Sequence, residues 1–559
     1  MEKQWWHGKI AYQIYPKSFL DTNGDGVGDL PGVIEKLDYL KALGVDILWL
    51  CPVYASPFVD QGYDVADYYA IAPQFGTMAD MDRLLAEAKR RDMYVVMDLV
   101  VNHCSTQHAW FRQALADPYG PAAQRFYFRK GRAGGPPNNY RAYFGGSAWE
   151  PVPGTDLYYL HYFAPEQADL NWENPALRQE IYDMIGWWMK KGLAGFRVDA
   201  ISNIKKDLTF ADLPADGPDG LASVGQLLAC GERTEPFLAE LRDRAFAPHN
   251  AFTVGEVNVL QPGALARFIG DGGYFSTLFD FCGQELSEGA HGWYDTAPFD
   301  WDKWRDAVFD RQAMCEGVCF MANIIENHDQ PRGASRYLPA FAQNPAGQKL
   351  LATVSVMLRG LPFLYQGQEL GMTNAPLERA EGCGDVSTEC EYRLALAAGL
   401  SGAEALDVCR QFSRNNTRTP MQWTAGPHAG FTTGTPWLAV NPNHTAVNVQ
   451  VQLADPDSVL HHYRRLLALR KAPEWAELFT YGATVPVGRE HRGLFAYERV
   501  LAGRRVLVAG NCSETPVTLP LAGRAVPLLD NLPGGAKTQS GALTLAPLEA
   551  LVAWLQPCE

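Results

Sequence analysis

Positive charge, long apolar runs and a cysteine pairing pattern are all missing from this chain, and each absence removes a class of function. Across 559 residues, 48 Lys and Arg stand against 63 Asp and Glu, a net charge of −15. Binding a phosphate backbone relies on a basic footprint that releases counterions, so nucleic acid is not expected as a partner. No run of 18 apolar residues occurs, so neither a membrane span nor a membrane partner is expected. The opening stretch MEKQWWHGKIAYQIYPKSF lacks the apolar core and small-residue cleavage site of a signal peptide, so none is expected. The 11 cysteines scatter from Cys51 to Cys558, and the one close pair, Cys315 and Cys319, has no second pair or histidine beside it. Zinc is therefore not expected, and free thiols in a reducing cytoplasm are. There is no low-complexity tract, and no phosphate-binding GxGxxG follows the first apolar run.

What is present is a recurring unit: a short apolar run, then an amphipathic helical pattern. The runs are IAYQIYP (10–16), VDILWL (45–50), YVVMDLVVNH (94–103), GFRVDAI (195–201), FTVGEV (252–257), STLFDFC (276–282), MANIIENHD (321–329) and LPFLYQGQEL (361–370). Continuous apolar strands alternating with helices argue for a parallel sheet covered by helices. Eight such units predict an α/β fold of the (β/α)8 TIM-barrel type. The predicted layout is a first barrel part over 1–103, an inserted domain over 104–172 rich in Pro, Gly and aromatics, and a second barrel part over 173–479. That second part carries its own insertion at about 374–425, and residues 480–559 form a C-terminal β-sandwich of short alternating strands.

Four acids fall within or at the ends of apolar strands: Asp98, Asp199, Glu256 and Asp329. An ionised carboxylate there costs several kcal/mol unless it is paired or used. Strand ends in such a barrel face one mouth, so these acids should converge, with His103, Arg197 and His328 beside them. Two-metal sites usually bring paired histidine ligands, which this pattern lacks. Paired carboxylates in different settings, with aromatic walls, are the equipment of glycoside cleavage. Arg197 shares a strand face with Asp199 and is expected to keep it ionised. Glu256 has no basic neighbour in TVGEVNV, and an apolar setting would raise its pKa towards that of a general acid.

One loop asks for a cation. In DTNGDGVGD (21–29), Asp21, Asn23, Asp25, Val27 through its carbonyl, and Asp29 occupy positions 1, 3, 5, 7 and 9 of an EF-hand loop, with Gly26 at position 6. Position 12 is Gly32 where a bidentate Glu belongs. The pattern supports a hard-cation site and argues against a calcium sensor.

Together these residues give the chain a strong likeness. It resembles the α-amylase-type retaining glycoside hydrolases, in the branch of oligo-1,6-glucosidases, α-glucosidases and trehalose-6-phosphate hydrolases. The hallmark segments stand as DLVVNH (98–103), GFRVDAI (195–201), GEV (255–257) and NHDQPR (327–332). YQIYPKSF (12–19), GYDVADY (62–68), FGGSAWE (144–150), QADLNWENP (167–175) and SRNNTRTPMQW (413–423) support them. The resemblance implies Asp199 as nucleophile, Glu256 as general acid/base and Asp329 as transition-state stabiliser. It implies that Asp64, His103, Arg197, His328 and Arg418 grip the non-reducing-end glucose, with Tyr63, Phe163 and Gln167 lining the pocket and Asp98 orienting the arginine. It also implies one Ca2+ on the Asp21–Asp29 loop, no organic cofactor, and a small-molecule oligosaccharide as partner; monomer or homo-oligomer is left open.

Finer substrate choice rests on departures. The residue after the nucleophile is typically Val in α-1,6-preferring members and Ala or Thr in α-1,4-preferring ones; here it is Ala200, which leans towards α-1,4 or broad linkage use. A 6-phosphate pocket needs basic residues, and Lys205 and Lys206 are the candidates, with solvated loop lysines as the plainer reading. GEVNV departs from the GEMSS-like stretch of the phosphotrehalases, and QPRGASRYLPAF from the Arg- and Asp-rich loop of the sucrose isomerases. The non-catalytic transporter-associated proteins of this fold have lost the acids that this chain keeps.

Overall fold

The structure is a computed structural model that describes the chain except residues 1, 218, 229–232, 258–262, 287–288, 290, 522, 536, 540 and 557–559. Eight parallel strands close into a barrel: β1 (Ala11–Ile14), β2 (Ile47–Leu50), β3 (Tyr94–Val100), β4 (Gly195–Asp199), β5 (Phe252–Gly255), β6 (Thr277–Asp280), β7 (Ala322–Asn323) and β8 (Leu361–Tyr365). Each lies inside one of the eight apolar runs, because a strand buried on both faces has no polar side to alternate with. β8 pairs back onto β1 with Ala11 opposite Phe363.

Local chemistry sets the helices between them. Asp29 accepts a hydrogen bond from Gly32 N at the start of helix Leu30–Glu35, and Thr77 with Asp80 forms a capping box on Met78–Arg90. Asn174 and Asn344 cap Pro175–Lys191 and Pro345–Val356, each with proline at the first turn, where its missing N–H costs nothing.

The barrel interior is layered. Ala11, Ile47, Trp49, Val96, Val254, Phe279, Ala322 and Phe363 fill one apolar cluster. Two residues further along β1, β3 and β4 the same inward face carries Gln13, Asp98 and Arg197, all buried, because side chains repeat with period two. Gly195 lets β4 approach its neighbour, since a Cβ there would lie 1.7 Å from the Phe252 carbonyl oxygen.

Residues after β3 form a three-stranded antiparallel sheet in the order Phe128–Lys130, Leu157–Leu160, Trp149–Pro151. Its neck is a two-stranded strap, His103–Ser105 against Gln167–Asp169, which sets Asp169 opposite His103. Beyond residue 480, a five-stranded and a three-stranded antiparallel sheet enclose a cluster that includes Leu494, Leu507, Leu519, Leu543 and Leu551. Among the described residues no helix is long and apolar enough to cross a membrane.

Candidate active site

The strand register builds the centre. Arg197 lies opposite Asp98 in the β3–β4 pairing, and Arg197 Nη1 donates to Asp98 Oδ1 at 2.6 Å and to Asp199 Oδ1 at 2.5 Å. Its other nitrogen, Nη2, lies 3.0 Å from Glu256 Oε1. One guanidinium therefore ties together three of the four strand-end acids. This corrects one expectation: Glu256 does have a basic partner, delivered by the neighbouring strand. Glu256 Oε2 also accepts from Ala200 N at 2.8 Å.

Three carboxylates share one arginine here, so the charges do not balance unless a proton is held. Burial, joined by Glu256 and Asp98, pushes Asp199 well above the usual carboxylate range in spite of Arg197. The expectation that Arg197 keeps Asp199 ionised therefore meets opposition from burial and from the two neighbouring carboxylates. Asp98 is likewise raised by burial, opposed by Arg197, His328 and a bond from Trp49; Trp49 Nε1 donates to its Oδ2 at 2.8 Å.

Asp329 is held apart. Burial works against its ionisation, yet His328, Arg418 and Arg414 together outweigh it and keep the carboxyl well below its ordinary value. Arg418 Nη2 donates to Asp329 Oδ1 at 2.7 Å and Arg418 Nε to the His328 carbonyl at 2.9 Å. His328 is fixed by Gln13 Nε2 at 2.7 Å, Tyr63 OH at 2.5 Å and Asp329 Oδ2 at 3.0 Å. Tyr63 stacks on that imidazole with ring centroids 5.3 Å apart.

The other expected residues form the adjoining wall. His103 Nε2 meets the Tyr63 carbonyl and Gln167 Nε2, each at 3.1 Å, and packs on Phe163 at 5.0 Å. Burial and Lys206 lower the His103 pKa to about 3, so the ring is a neutral hydrogen-bonding group. Asp64 is fully buried and accepts from Val59 N and Asp60 N, which makes it the tie of its own loop. Ala200 stands at φ 44°, in the left-handed region.

Three features escaped the sequence reading. Lys206 is not a solvated loop lysine: its ammonium is buried against Asp169 Oδ2 at 2.6 Å, Asn102 Oδ1 at 2.9 Å and the Tyr162 face at 3.8 Å. Lys205 pairs with Glu173, so both candidate phosphate ligands are already committed to carboxylates. Arg414, four residues before Arg418, reaches Asp60 at 3.2 Å and Asp329 at 3.4 Å; the Arg-x3-Arg spacing was its only signal. Asp385 receives Arg414 Nε at 2.8 Å, faces Arg418 Nη1 at 3.7 Å, and caps helix Val386–Ala397 through Thr388 N.

The loop after β1 is closed by its own bonds. Asp21 Oδ1 accepts from Asn23 N and Gly24 N, and its Oδ2 from Gly26 N and Thr432 Oγ1. Asn23 Oδ1 accepts from Asp25 N, and Asp25 Oδ1 from Val27 N. Asp29 turns the other way, to Thr22 and to the Gly32 N–H at the helix start. Among the described residues no three His, Cys, Asp or Glu side chains are grouped to hold a metal ion. The donors are of the hard-oxygen type that a Ca2+ takes, but both oxygens of Asp21 are filled by these bonds and Asp29 faces away, so a cation there would have to displace them.

Comparison with known proteins agrees with this geometry. The family described as alpha amylase, catalytic domain, matches residues 13–478. A probable oligo-1,6-glucosidase 3 of Bacillus subtilis (strain 168) is 38% identical over 563 residues, covering 99% of each chain. The trehalose-6-phosphate hydrolase of the same organism is 40% identical over 565 residues, also covering 99% of each. Among solved structures, the isomaltulose synthase of Klebsiella sp. LX3 superposes with a TM-score of 0.94 at 34% identity, covering 100% of both chains.

Proposed function

From a chain that belongs to the alpha-amylase catalytic-domain family of glycoside hydrolases, we propose a retaining, exo-acting α-glucosidase that releases glucose from the non-reducing end of short α-glucosides. The observation that carries this reading is the single Arg197 guanidinium holding Asp98, Asp199 and Glu256, with Asp329 held separately by His328 and Arg418. Asp199 attacks the anomeric carbon while Glu256 gives a proton to the leaving oxygen. Water, deprotonated by Glu256, then releases β-linked glucose from Asp199 with net retention. Asp329 stays ionised and accepts sugar hydroxyl hydrogen bonds that strengthen as the oxocarbenium-like transition state forms. His103, held neutral by burial, and His328, with Arg418 and Tyr63, grip the terminal glucose.

Asp199→Ala and Glu256→Gln should abolish hydrolysis of p-nitrophenyl α-glucoside while circular dichroism and melting stay near wild type. Full activity in either variant would remove the assignment. On linkage, Ala200 supports α-1,4 or broad use. The relatives named for 1,6-glucosidase activity favour α-1,6 as the second reading. A phosphorylated disaccharide is less favoured, because Lys205 and Lys206 are engaged. One panel of maltose, isomaltose, sucrose, trehalose and trehalose 6-phosphate, read by glucose release, ranks these.

One Ca2+ on the loop after β1, ligated by Asp21, Asn23, Asp25, the Val27 carbonyl and Asp29, belongs to the same proposal. Its support is the run of oxygen donors at alternating positions. Gly26 (φ 92°) also seats the loop so tightly that a Cβ would lie 1.9 Å from the Thr435 carbonyl oxygen. EDTA should lower the melting temperature more than it lowers turnover. An unchanged melting curve would leave a turn closed by its own hydrogen bonds. The cytoplasmic setting is part of the reading too, supported by nine free cysteines among the described residues.

A further inference from the structure

An exo-acting pocket encloses one glucose, so the rest of an oligosaccharide must leave across the rim of the barrel mouth. We propose that the cleft lined by Trp293, Phe299 and Phe412 is an outer carbohydrate subsite for the third and later sugar units of such a chain. This inference rests on the α-glucosidase reading above.

The cleft has a volume of about 330 Å³, within the roughly 300–1,000 Å³ range of small-molecule sites. It lies between the segment after β6, the segment after β7 and the end of helix Gly402–Phe412. All three are on the carboxylate side of the barrel. Pro331, one of its lining residues, is two residues from Asp329, so their Cα atoms are no more than about 8 Å apart. Arg336, on another wall, is tied to Gln330, the residue following Asp329. By contrast, cavities lined by Trp5 with Thr253 and by Trp5 with Tyr94 sit at the N-terminal ends of the strands, out of reach of a chain held at the carboxylates.

The walls suit a pyranose. Trp293 and Phe412 are half-buried, their ring centroids 6.2 Å apart and inclined by 45°. Phe299 adds a third ring, packed edge-on to Tyr337 at 5.0 Å. Aromatic faces carry negative quadrupole charge and accept the axial C–H groups of a sugar ring. Arg336, Asn374 and Gln411 add polar groups around them, the aromatic-plus-amide mixture that orients a hydroxyl-rich ligand. The platform is built in advance. Trp293 N donates to Glu391 Oε2 at 2.7 Å, and Gly292 (φ 119°) fits a turn where a Cβ would lie 2.7 Å from that same oxygen. Asn374 Oδ1 accepts from Arg332 N at 2.9 Å, and its Nδ2 donates to the Gln411 carbonyl at 3.1 Å. The cleft wall is thus bonded to the loop that presents Asp329.

The test uses the full chain with p-nitrophenyl α-glucoside and with di-, tri- and tetrasaccharides of the preferred linkage. Trp293→Ala should lower kcat/KM at least fivefold on the tetrasaccharide and less than twofold on the disaccharide and the aryl glucoside, with Trp293→Phe recovering most of the loss. Phe412→Ala should reproduce the pattern and serves in its place if Trp293→Ala does not fold. Equal losses at every chain length, or no loss at any, overturn the subsite. If the wild-type chain releases no glucose from any of these substrates, the α-glucosidase reading fails first and takes the subsite with it.

Discussion

Replacing Asp385 by Asn isolates a residue that touches neither β4 nor β5 yet holds the arginines around Asp329. Two buried guanidiniums, Arg414 and Arg418, face three carboxylates, Asp60, Asp329 and Asp385. Breaking an isolated buried ion pair from one side costs about 3–5 kcal/mol, because it strands a charge. Here the variant leaves two arginines against two acids, so no charge is stranded, and the expected cost is about 1–3 kcal/mol. Asn caps a helix about as well as Asp, so helix Val386–Ala397 is retained. What changes is Asp329. With Asp385 neutral, Arg414, now 3.4 Å from Asp329 Oδ1, closes on that oxygen and competes with Arg418 for it. A shift of about 1 Å in a group that acts in the transition state can cost about 100-fold in rate. We therefore expect kcat to fall about 10- to 100-fold, or about 1.4–2.7 kcal/mol, with KM within about threefold of wild type and melting lowered by a few degrees. The assay is initial-rate hydrolysis of p-nitrophenyl α-glucoside beside thermal denaturation. An unchanged kcat, or a loss that merely tracks the fraction of unfolded protein, would show that Asp385 does not position the arginines around Asp329.

Other outcomes follow from the same geometry. Lys206→Met strands Asp169 in the core and should destabilise the protein by about 3–5 kcal/mol; Lys206→Met with Asp169→Leu should recover most of the melting temperature, and no recovery would contradict the pairing. Burial holds His103 and His462 at pKa values of about 3, and His108 and His161 at about 4, against about 6.5 unfolded. The folded state therefore keeps these rings neutral while the unfolded chain takes up protons. Their stability contribution is present above pH ~6.5 and is lost as pH falls towards 4, by about 2–3 kcal/mol each at pH ~4.5. Melting temperature should drop across that window, and a flat profile would contradict it. Ala200→Val places a β-branched side chain at φ 44°, where such residues are strained. It should shift the ratio of maltose to isomaltose turnover towards isomaltose by about 5- to 150-fold, and an unchanged ratio would detach linkage choice from this position.

The barrel was legible because its strands are buried on both faces and so read as eight apolar runs. The charged centre was legible for the same reason, since Asp98, Arg197 and Asp199 interrupt those runs at period two. The reach of Arg197 to Glu256 was not, because it depends on β4 lying beside β5, a contact between segments more than 50 residues apart in sequence. Lys206 was misread because ISNIKKD looks like a polar loop. Only the His103–Ser105 and Gln167–Asp169 strap brings Asp169 beneath it. Asp385 carried no local signal beyond that of a helix cap, and its two arginines come from 29 and more residues further along the chain. The Trp293 cleft depends on loops after two different strands meeting one helix end, which no local pattern announces.

Double displacement at Asp199, with Glu256 as acid/base, fixes the anomer of glucose that is released. Proton NMR of p-nitrophenyl α-glucoside hydrolysis, recorded before mutarotation, reads it directly. α-Glucose is expected as the first anomer released. β-Glucose appearing first would contradict double displacement.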